Sequence, residues 1–327
     1  MSNTKVVRWG ILGAGRIAND FCTAINFSNN SSVHAVASRN EERGKAFASK
    51  FNATKYYNSY SALVNDPNVD VIYIATPHPF HYEQTMLCLK NHKPVLCEKP
   101  MAMNHQQVKE VVELATKNKV FLMEGMWTSC MPFLSHIKQI IADGTIGEIN
   151  YLHASLCFTA PLNYEDRLYN KALGGGSVLD VGVYVISLAT NLLGEPNSIM
   201  SQIKLTPTNV DATANMMLQY TSGAMAHLIS SIELTTPQEA SIVGTKGRIY
   251  VKPPFLNATH FTVFDDKGKE KSYHYPHLCN GFEYQVQEVY HCLQNGLLES
   301  SLHTHKQTLI VSKLMDAVLE EAGITYN

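Results

Sequence analysis

Short apolar runs alternate with longer amphipathic runs over the first 125 residues of the chain. The short runs have the length of strands, whereas the amphipathic runs repeat apolar residues every three to four positions, as helices do. The predicted strands are residues 6–12, 33–38, 69–75, 94–97 and 120–123, and the predicted helices are residues 16–27, 41–51, 80–91 and 105–117. Continuous apolar strands separated by helices predict a doubly wound parallel sheet with helices on both faces.

The pattern changes after about residue 145, where strand-like segments follow one another and are separated by turns such as Tyr220-Thr221-Ser222-Gly223. The predicted strands here are residues 148–158, 212–220, 224–232, 239–243, 248–251 and 260–264, and two helices, 281–294 and 305–321, close the chain. We therefore expect an α/β domain over residues 1–125. An α+β domain with a large, mainly antiparallel open sheet is expected over residues 126–327.

Composition narrows the classes of partner. The 26 basic and 28 acidic residues are spread along the 327-residue chain, which argues against a nucleic-acid or membrane-surface partner and favours a small molecule. The seven cysteines contain no CxxC pair, as is typical of reduced core residues in a cytoplasmic protein. No secretory h-region and no apolar run of about 20 residues is found, so we expect a cytoplasmic location.

A glycine-rich turn follows the first predicted strand and opens the first predicted helix. In Gly13-x-Gly15-x-x-Ala18, Gly13 allows a tight turn and Gly15 allows the backbone to approach a pyrophosphate. Arg16 and Ile17 begin the helix, whose N-terminus favours phosphate charge. This context predicts a Rossmann-type dinucleotide site.

The end of the second predicted strand reads Ala37-Ser38-Arg39-Asn40. An NAD-selective site has a carboxylate about 20 residues after the glycines, whereas Ser38 and Arg39 suit the 2′-phosphate of NADP. We therefore favour NADP over NAD. The alternative is that Arg39 is a solvated loop residue.

Two later strand ends carry polar groups to the same edge of the predicted sheet, where doubly wound folds bind their ligands. The predicted strand 69–75 is followed by residues expected to border the cofactor: Thr76, Pro77, His78 and His81. The HxxH spacing of the two histidines lacks further ligands, so no metal site is predicted. The predicted strand 94–97 leads into Glu98 and Lys99, a carboxylate and an ammonium placed where the nicotinamide would lie.

In the second half of the chain, Asp180 and Tyr184 are four residues apart and share one face if the segment is helical. Three glycines, 174 to 176, precede them, and we expect these to let the backbone approach the cofactor.

Together the segments GILGAGRIA, ATPHPFH, CEKP and GGGSVLDVGVY resemble the Gfo/Idh/MocA oxidoreductase family over nearly the whole chain. The segments around Ser38-Arg39, Trp127, Arg167 and Tyr184 are similar to the branch of dimeric dihydrodiol dehydrogenases and NADP-linked D-xylose dehydrogenases. The resemblance implies that Lys99 and Tyr184 flank the substrate alcohol or carbonyl. It implies that Asp180 orients them and that Trp127 borders the cofactor or substrate. Arg167 either contacts the cofactor or substrate or supports the loop before Asp180.

In such a site Tyr184 is a plausible general acid or base, because an alcohol loses its proton as the hydride leaves. A nearby Lys99 would favour the phenolate and donate to the developing alkoxide. This chain differs from the branch at Ser129, where the branch often has an arginine. That departure concerns the recognition of the substrate rather than that of the cofactor.

The leading hypothesis is an NADP-dependent dehydrogenase that acts on a secondary alcohol or hemiacetal of a sugar-like or diol substrate. An NADPH-dependent reductase of a keto-sugar or dicarbonyl is the same-class alternative. A non-catalytic dinucleotide-binding regulator, as in the yeast galactose repressor with its similar scaffold, is the alternative from another class. We expect a homodimer or a larger homo-oligomer formed through the open sheet.

Overall fold

A computed structural model describes residues 6–326 of the chain. It contains two compact units, one comprising residues up to Trp127 together with His277–His305, the other comprising Thr128–Pro276 and the residues from Lys306 onward. The segment His277–His305 thus lies in unit 1, whereas the sequence pattern placed it with the second domain. The reason is long-range packing: Phe282 contacts Phe21 edge-on, with ring centroids 6.0 Å apart, and the Leu122 amide donates to the Leu298 carbonyl.

Unit 1 is built on a parallel sheet of six strands in the order β3-β2-β1-β4-β5-β6, with all neighbours parallel. Its strands are β1 (Val7–Leu12), β2 (Ser31–Ala37), β3 (Lys55–Tyr57), β4 (Val71–Ile74), β5 (Val95–Glu98) and β6 (Leu122–Gly125). Its crossover helices are α1 (Arg16–Phe27), α2 (Glu41–Lys50), α3 (Tyr60–Val64), α4 (His81–Lys90) and α5 (His105–Asn118). The predicted doubly wound sheet is confirmed.

Short polar side chains cap the starts of several helices of unit 1. Asn40 accepts a hydrogen bond from the Arg43 amide at the start of α2, and Asn104 does the same for Gln107 at the start of α5. Apolar strands fill the core between the helices, where the rings of Phe21 and Tyr73 stack with centroids 3.9 Å apart. The caps therefore fix the residues at which α2 and α5 begin, and the stacked rings pack α1 against β4.

Unit 2 is built on an eight-stranded sheet in the order β14-β13-β12-β11-β7-β10-β9-β8, antiparallel except for the β7/β10 pair. The strands are β7 (Ile149–Cys157), β8 (Ser198–Leu205), β9 (Asp211–Gln219), β10 (Met225–Ser231), β11 (Ala240–Gly244), β12 (Gly247–Val251), β13 (His260–Asp265) and β14 (Glu270–His274). The helices α6 (Pro132–Ala142) and α7 (Val183–Leu193) precede and follow β7. The expectation of a large, mainly antiparallel sheet is confirmed.

Two more helices close the chain, α8 (Glu283–Gln294) in unit 1 and α9 (His305–Glu321), which belongs to unit 2 from Lys306 onward. Residues 171–193 form the single described helical stretch that is long and apolar enough to cross a membrane by length and composition. However, 78% of its most apolar window is buried inside the structure, as in the core helix of a soluble fold.

Candidate active site

The glycine turn of unit 1 has the shape that a dinucleotide requires. Gly13 adopts a φ of +97°, and a Cβ there would lie 3.0 Å from the Ala75 carbonyl oxygen, so this position needs glycine. A Cβ on Gly15 would meet nothing within 4 Å. Gly15 is the N-cap of α1, and neither a capping side chain nor an acidic residue occupies the first turn begun by Arg16 and Ile17. The open space beside free helical N–H groups fits a pyrophosphate.

The loop after β2 holds an arginine against an aromatic ring. Ser38 is buried, its hydroxyl accepts from the Asn40 amide, and its carbonyl accepts from the Tyr56 hydroxyl. Arg39 is exposed, with its guanidinium carbon 4.8 Å from the centroid of Phe80. Within residues 6–326 no carboxylate forms an ion pair with Arg39. The guanidinium is therefore oriented by a cation–π contact and presents its charge to solvent.

The loop after β4 is fastened to the loop after β5 by a buried histidine. His81 is fully buried, and its ring nitrogens lie 2.8 Å from the Pro100 carbonyl oxygen and 2.7 Å from that of Thr76. Burial lowers the pKa of His81, so the neutral ring donates to one of these carbonyls. Its ring nitrogens face the protein backbone, whereas Pro77 is exposed and His78 is half-buried.

Glu98, at the end of β5, is a buried carboxylate. The Tyr73 hydroxyl donates to its Oε1 at 2.5 Å. Burial raises the pKa of Glu98 to about 7, although the hydrogen bond from Tyr73 and the charge of Lys99 oppose that rise. Lys99 follows directly and is half-buried, so β5 delivers a carboxylate and an ammonium to the same edge as the glycine turn.

The end of β6 is tied to the returning segment of unit 1. Glu124 is buried, accepts from the Met101 amide at 3.0 Å, and lies 3.1 Å from Nε2 of the fully buried His303. Trp127 stacks on Phe282 with ring centroids 4.4 Å apart. Sequence reasoning missed His303, because its partner lies 179 residues away along the chain.

In unit 2 the residues Val178–Gly182 form a π-helical turn that continues directly into α7. This turn carries Asp180, and Tyr184 lies in the first turn of α7, so the expected helical segment is present. Arg167 holds Asp180 with Nη1–Oδ1 and Nη2–Oδ2 distances of 3.1 and 3.5 Å. The Arg167 side chain is therefore engaged in orienting Asp180, a role that the sequence left open beside cofactor binding.

Two of the three glycines before this segment, Gly175 and Gly176, lie close to other groups of their own unit. A Cβ on Gly175 would lie 2.8 Å from the Leu168 carbonyl oxygen, and one on Gly176 would lie 2.1 Å from Oδ1 of Asp211. Asp211 is fully buried and was missed by the sequence analysis, since an aspartate at the start of a strand carries no local signal. Among residues 6–326 no group of three or more His, Cys, Asp or Glu side chains could hold a metal ion.

Comparisons with known proteins agree with this architecture. A model of the GFO_IDH_MocA oxidoreductase family, described as an NAD-binding Rossmann fold, matches residues 7–126, and a model of the GFO/IDH/MocA C-terminal domain matches residues 134–250. The trans-1,2-dihydrobenzene-1,2-diol dehydrogenase of Xenopus tropicalis is 36% identical over 331 residues, covering 98% of this chain and 99% of that protein.

Solved structures share the fold at low sequence identity. Aldose-aldose oxidoreductase from Caulobacter crescentus, complexed with glycerol, has a TM-score of 0.89 at 23% identity and covers 98% of both chains. KijD10, a 3-ketoreductase from Actinomadura kijaniata complexed with NADP and TDP-benzene, has a TM-score of 0.86 at 24% identity, covering 97% of this chain and 98% of that chain.

The fold and the glycine turn define an oxidoreductase with a Rossmann domain that binds a nicotinamide dinucleotide. The chain belongs to the GFO/IDH/MocA oxidoreductase family, which confirms the resemblance seen in the sequence.

Proposed function

We propose that this protein is an NADP-dependent dehydrogenase that moves a hydride between the nicotinamide and a secondary alcohol or hemiacetal of a diol or sugar-like substrate. The observation that carries the proposal is the 36% identity, over 98% of the chain, to a protein named as a diol dehydrogenase. Bound NADP supplies the hydride acceptor or donor, and the residues of this chain bind, orient and exchange the proton.

The choice of NADP rests on the end of β2. A site for NAD places a carboxylate there, whereas this chain presents Ser38 and an exposed Arg39 oriented by Phe80. A guanidinium forms two parallel hydrogen bonds with a phosphate, so the 2′-phosphate of NADP gains a contact that NAD cannot make.

The test of this choice is Arg39→Ala, with Arg43→Ala as the matched control, since Arg43 is exposed in the first turn of α2. We expect Arg39→Ala to weaken NADP binding by about 10-fold or more, as the loss of a charged hydrogen-bonded pair implies, and to change NAD binding little. Titration calorimetry measures both affinities. Equal weakening for the two cofactors would contradict a role in recognising the 2′-phosphate.

We assign the proton transfer to Tyr184 and the binding of the substrate oxygen to Lys99. An alcohol oxygen becomes more negative as the hydride leaves, so an ammonium stabilises it and a tyrosine hydroxyl exchanges its proton. Asp180, held by Arg167 at 3.1 Å, orients this end of unit 2. Thr76, Pro77, His78, Glu98 and Trp127 border the cofactor in this proposal, and His81 fixes the loops after β4 and β5.

The catalytic assignment is tested with Tyr184→Phe, which removes the hydroxyl and keeps the ring. We expect turnover to fall by about 100-fold while NADP affinity stays unchanged, because general acid–base catalysis contributes about that much. Turnover within a few-fold of the wild type would refute the assignment of Tyr184.

Substrate and direction are tested by following reduced nicotinamide with NADP and NAD against cyclic diols, aldoses and inositols, and in reverse against dicarbonyls and keto-sugars. Oxidation of one group of alcohols with NADP supports the dehydrogenase proposal. Activity confined to the carbonyl panel indicates the reductase. Tight cofactor binding without turnover favours the regulator.

We further propose that two copies of the chain associate through the open face of the eight-stranded sheet. On this face Met217 pairs across the strands with Met200 and His227, and the two methionines are 46% and 55% exposed. Exposed apolar side chains repeated on adjacent strands suit a self-complementary contact. Light scattering should give a dimer for the wild type and half that mass for Met217→Lys, with Leu278→Lys in unit 1 as the control. A wild-type monomer at micromolar concentration would refute the proposal.

A further inference from the structure

The helical segment 178–193 begins at a carboxylate supplied by a different strand. Asp211, the first residue of β9, accepts hydrogen bonds at Oδ2 from the Ser177 hydroxyl at 2.7 Å and from the Val178 amide at 2.6 Å. The Ser177 hydroxyl also lies 3.0 Å from the hydroxyl of Ser230 in β10. Asp211 and Ser177 are both fully buried.

The hydrogen bond from the Val178 amide to Asp211 lies at the start of the helical segment, where backbone N–H groups usually lack an intrahelical acceptor. The leading N–H groups of a helix need an acceptor, and a negative charge there is stabilised by the helix dipole. Ser177 is the N-cap of the segment, but its side chain makes no capping bond to the following backbone. Asp211 supplies the cap instead, from 33 residues away along the chain.

The residues just before the segment, Gly175 and Gly176, also pack closely, and Gly176 lies against this carboxylate. Gly176 has a φ of +105°, and a Cβ there would lie 2.1 Å from Oδ1 of Asp211. The Gly175 carbonyl accepts from the Tyr326 hydroxyl at 2.6 Å. Gly175 and Gly176 are therefore in contact with Tyr326 and Asp211, respectively, just before the segment begins.

A buried carboxylate at Asp211 is not what selection for folding stability alone would favour. Burial raises the pKa of Asp211 to about 6, against the hydrogen bonds from Ser177 and Val178. Its Oδ1 finds no hydrogen-bond partner within residues 6–326. A buried, half-satisfied carboxylate destabilises the folded state, so its use here suggests a role in fixing geometry.

We propose that Asp211 is a positioning residue for catalysis: by capping the segment that starts at Val178, it fixes where Asp180 and Tyr184 stand. The inference rests on the proposed role of Tyr184, and it requires that Asp211 act through backbone placement rather than by touching substrate.

The structural half of the proposal is tested by hydrogen exchange of the peptide spanning residues 178–184, read by mass spectrometry without substrate. Asp211→Ala should speed exchange there by about 10-fold or more, because a hydrogen bond to a charged acceptor is lost. Asp265→Ala is the matched control, since Asp265 also accepts from two backbone amides, those of Lys267 and Lys269, but in an exposed hairpin of the same sheet. Unchanged exchange in Asp211→Ala overturns the proposal.

The catalytic half is tested by kinetics. Asp211→Ala should lower kcat by about 10- to 100-fold with KM values changed less than about 2-fold, as a displaced catalytic group implies. Asp211→Asn keeps an acceptor for both donors and should restore kcat to within about 3-fold. In a Tyr184→Phe background, Asp211→Ala should have little further effect, because both changes act through one group. Additive losses, or an equal loss in Asp211→Asn, refute positioning of Tyr184.

A second variant keeps the test usable if Asp211→Ala does not fold. Ser177→Ala removes one of the two donors and leaves the Val178 amide in place, so a smaller rise in exchange and a smaller loss of kcat are expected. No change in either quantity contradicts the proposal. Normal turnover of Tyr184→Phe refutes the assignment of Tyr184 instead, and leaves the exchange result to decide whether Asp211 fixes the segment.

Discussion

The buried carboxylate of Glu98 gives a quantitative prediction about stability. Its pKa is raised from an ordinary 4.5 to about 7, mainly because burial disfavours the charged form. That difference corresponds to about 3 kcal/mol between the two protonation states. In Glu98→Gln the side chain never ionises, while its amide oxygen still accepts the hydrogen bond that Tyr73 donates to Glu98 Oε1.

The direction of the stability difference between the wild type and Glu98→Gln follows from proton linkage. Below about pH 4.5 the carboxyl is protonated in both states, so the wild type and Glu98→Gln should have similar stability. As the pH rises from 4.5 to 7 the unfolded chain ionises first, and the wild type loses up to about 3 kcal/mol that the glutamine variant keeps. At pH 8 the variant should therefore be the more stable protein.

Thermal unfolding followed by circular dichroism measures this difference. For a chain of 327 residues that unfolds in one transition, 3 kcal/mol corresponds to an increase in Tm of about 4 °C at pH 8. The matched control is Glu283→Gln, which should behave oppositely. Burial alone would raise the pKa of Glu283, but the amides of Cys279, Asn280 and Gly281 outweigh it and lower that pKa. A Tm difference for Glu98→Gln that is independent of pH, or a variant less stable at pH 8, would refute the reasoning.

Three further outcomes are expected in unit 1. Gly15→Ala should lower Tm only slightly, because its Cβ meets nothing within 4 Å and only the N-cap preference for glycine is lost, and should weaken NADP binding by about 10-fold or more in a calorimetric titration. Asn40→Ala should lower the free energy of unfolding by about 1 kcal/mol through loss of the cap on α2, measured by denaturant titration. Asp66→Asn should remove part of the acid sensitivity of Tm. Burial would raise the pKa of Asp66, but hydrogen bonds from Asn68 and Tyr57 hold it well below its ordinary range, so its contribution is present near neutrality and lost as the pH falls.

The sequence alone determined the class of fold and the position of the cofactor turn. Apolar strands of four to seven residues separated by amphipathic helices repeat with periods that local sequence controls, so β1, β2, β4, β5 and β6 lie within about two residues of their predicted bounds. Gly13 was recognised because its turn needs a positive φ, and Gly15 because it lies in the same local motif and opens the first helix. Several of the elements missed were short or polar, such as β3 with three residues, α3 with five, and the edge strand β14, but the eleven-residue helix α6 was missed as well.

Only the tertiary structure decided which side chains support the candidate catalytic groups. Asp211 caps a helical segment 33 residues earlier, His303 contacts a glutamate 179 residues earlier, and His277–His305 joins unit 1 through the contact of Phe282 with Phe21. Each depends on chain segments brought together by folding, and no period, spacing or turn signal in the sequence encodes such a meeting. The glycines before Val178 show the same division: the sequence located them, whereas the structure shows that a Cβ on Gly176 would clash with Asp211 and one on Gly175 with the Leu168 carbonyl.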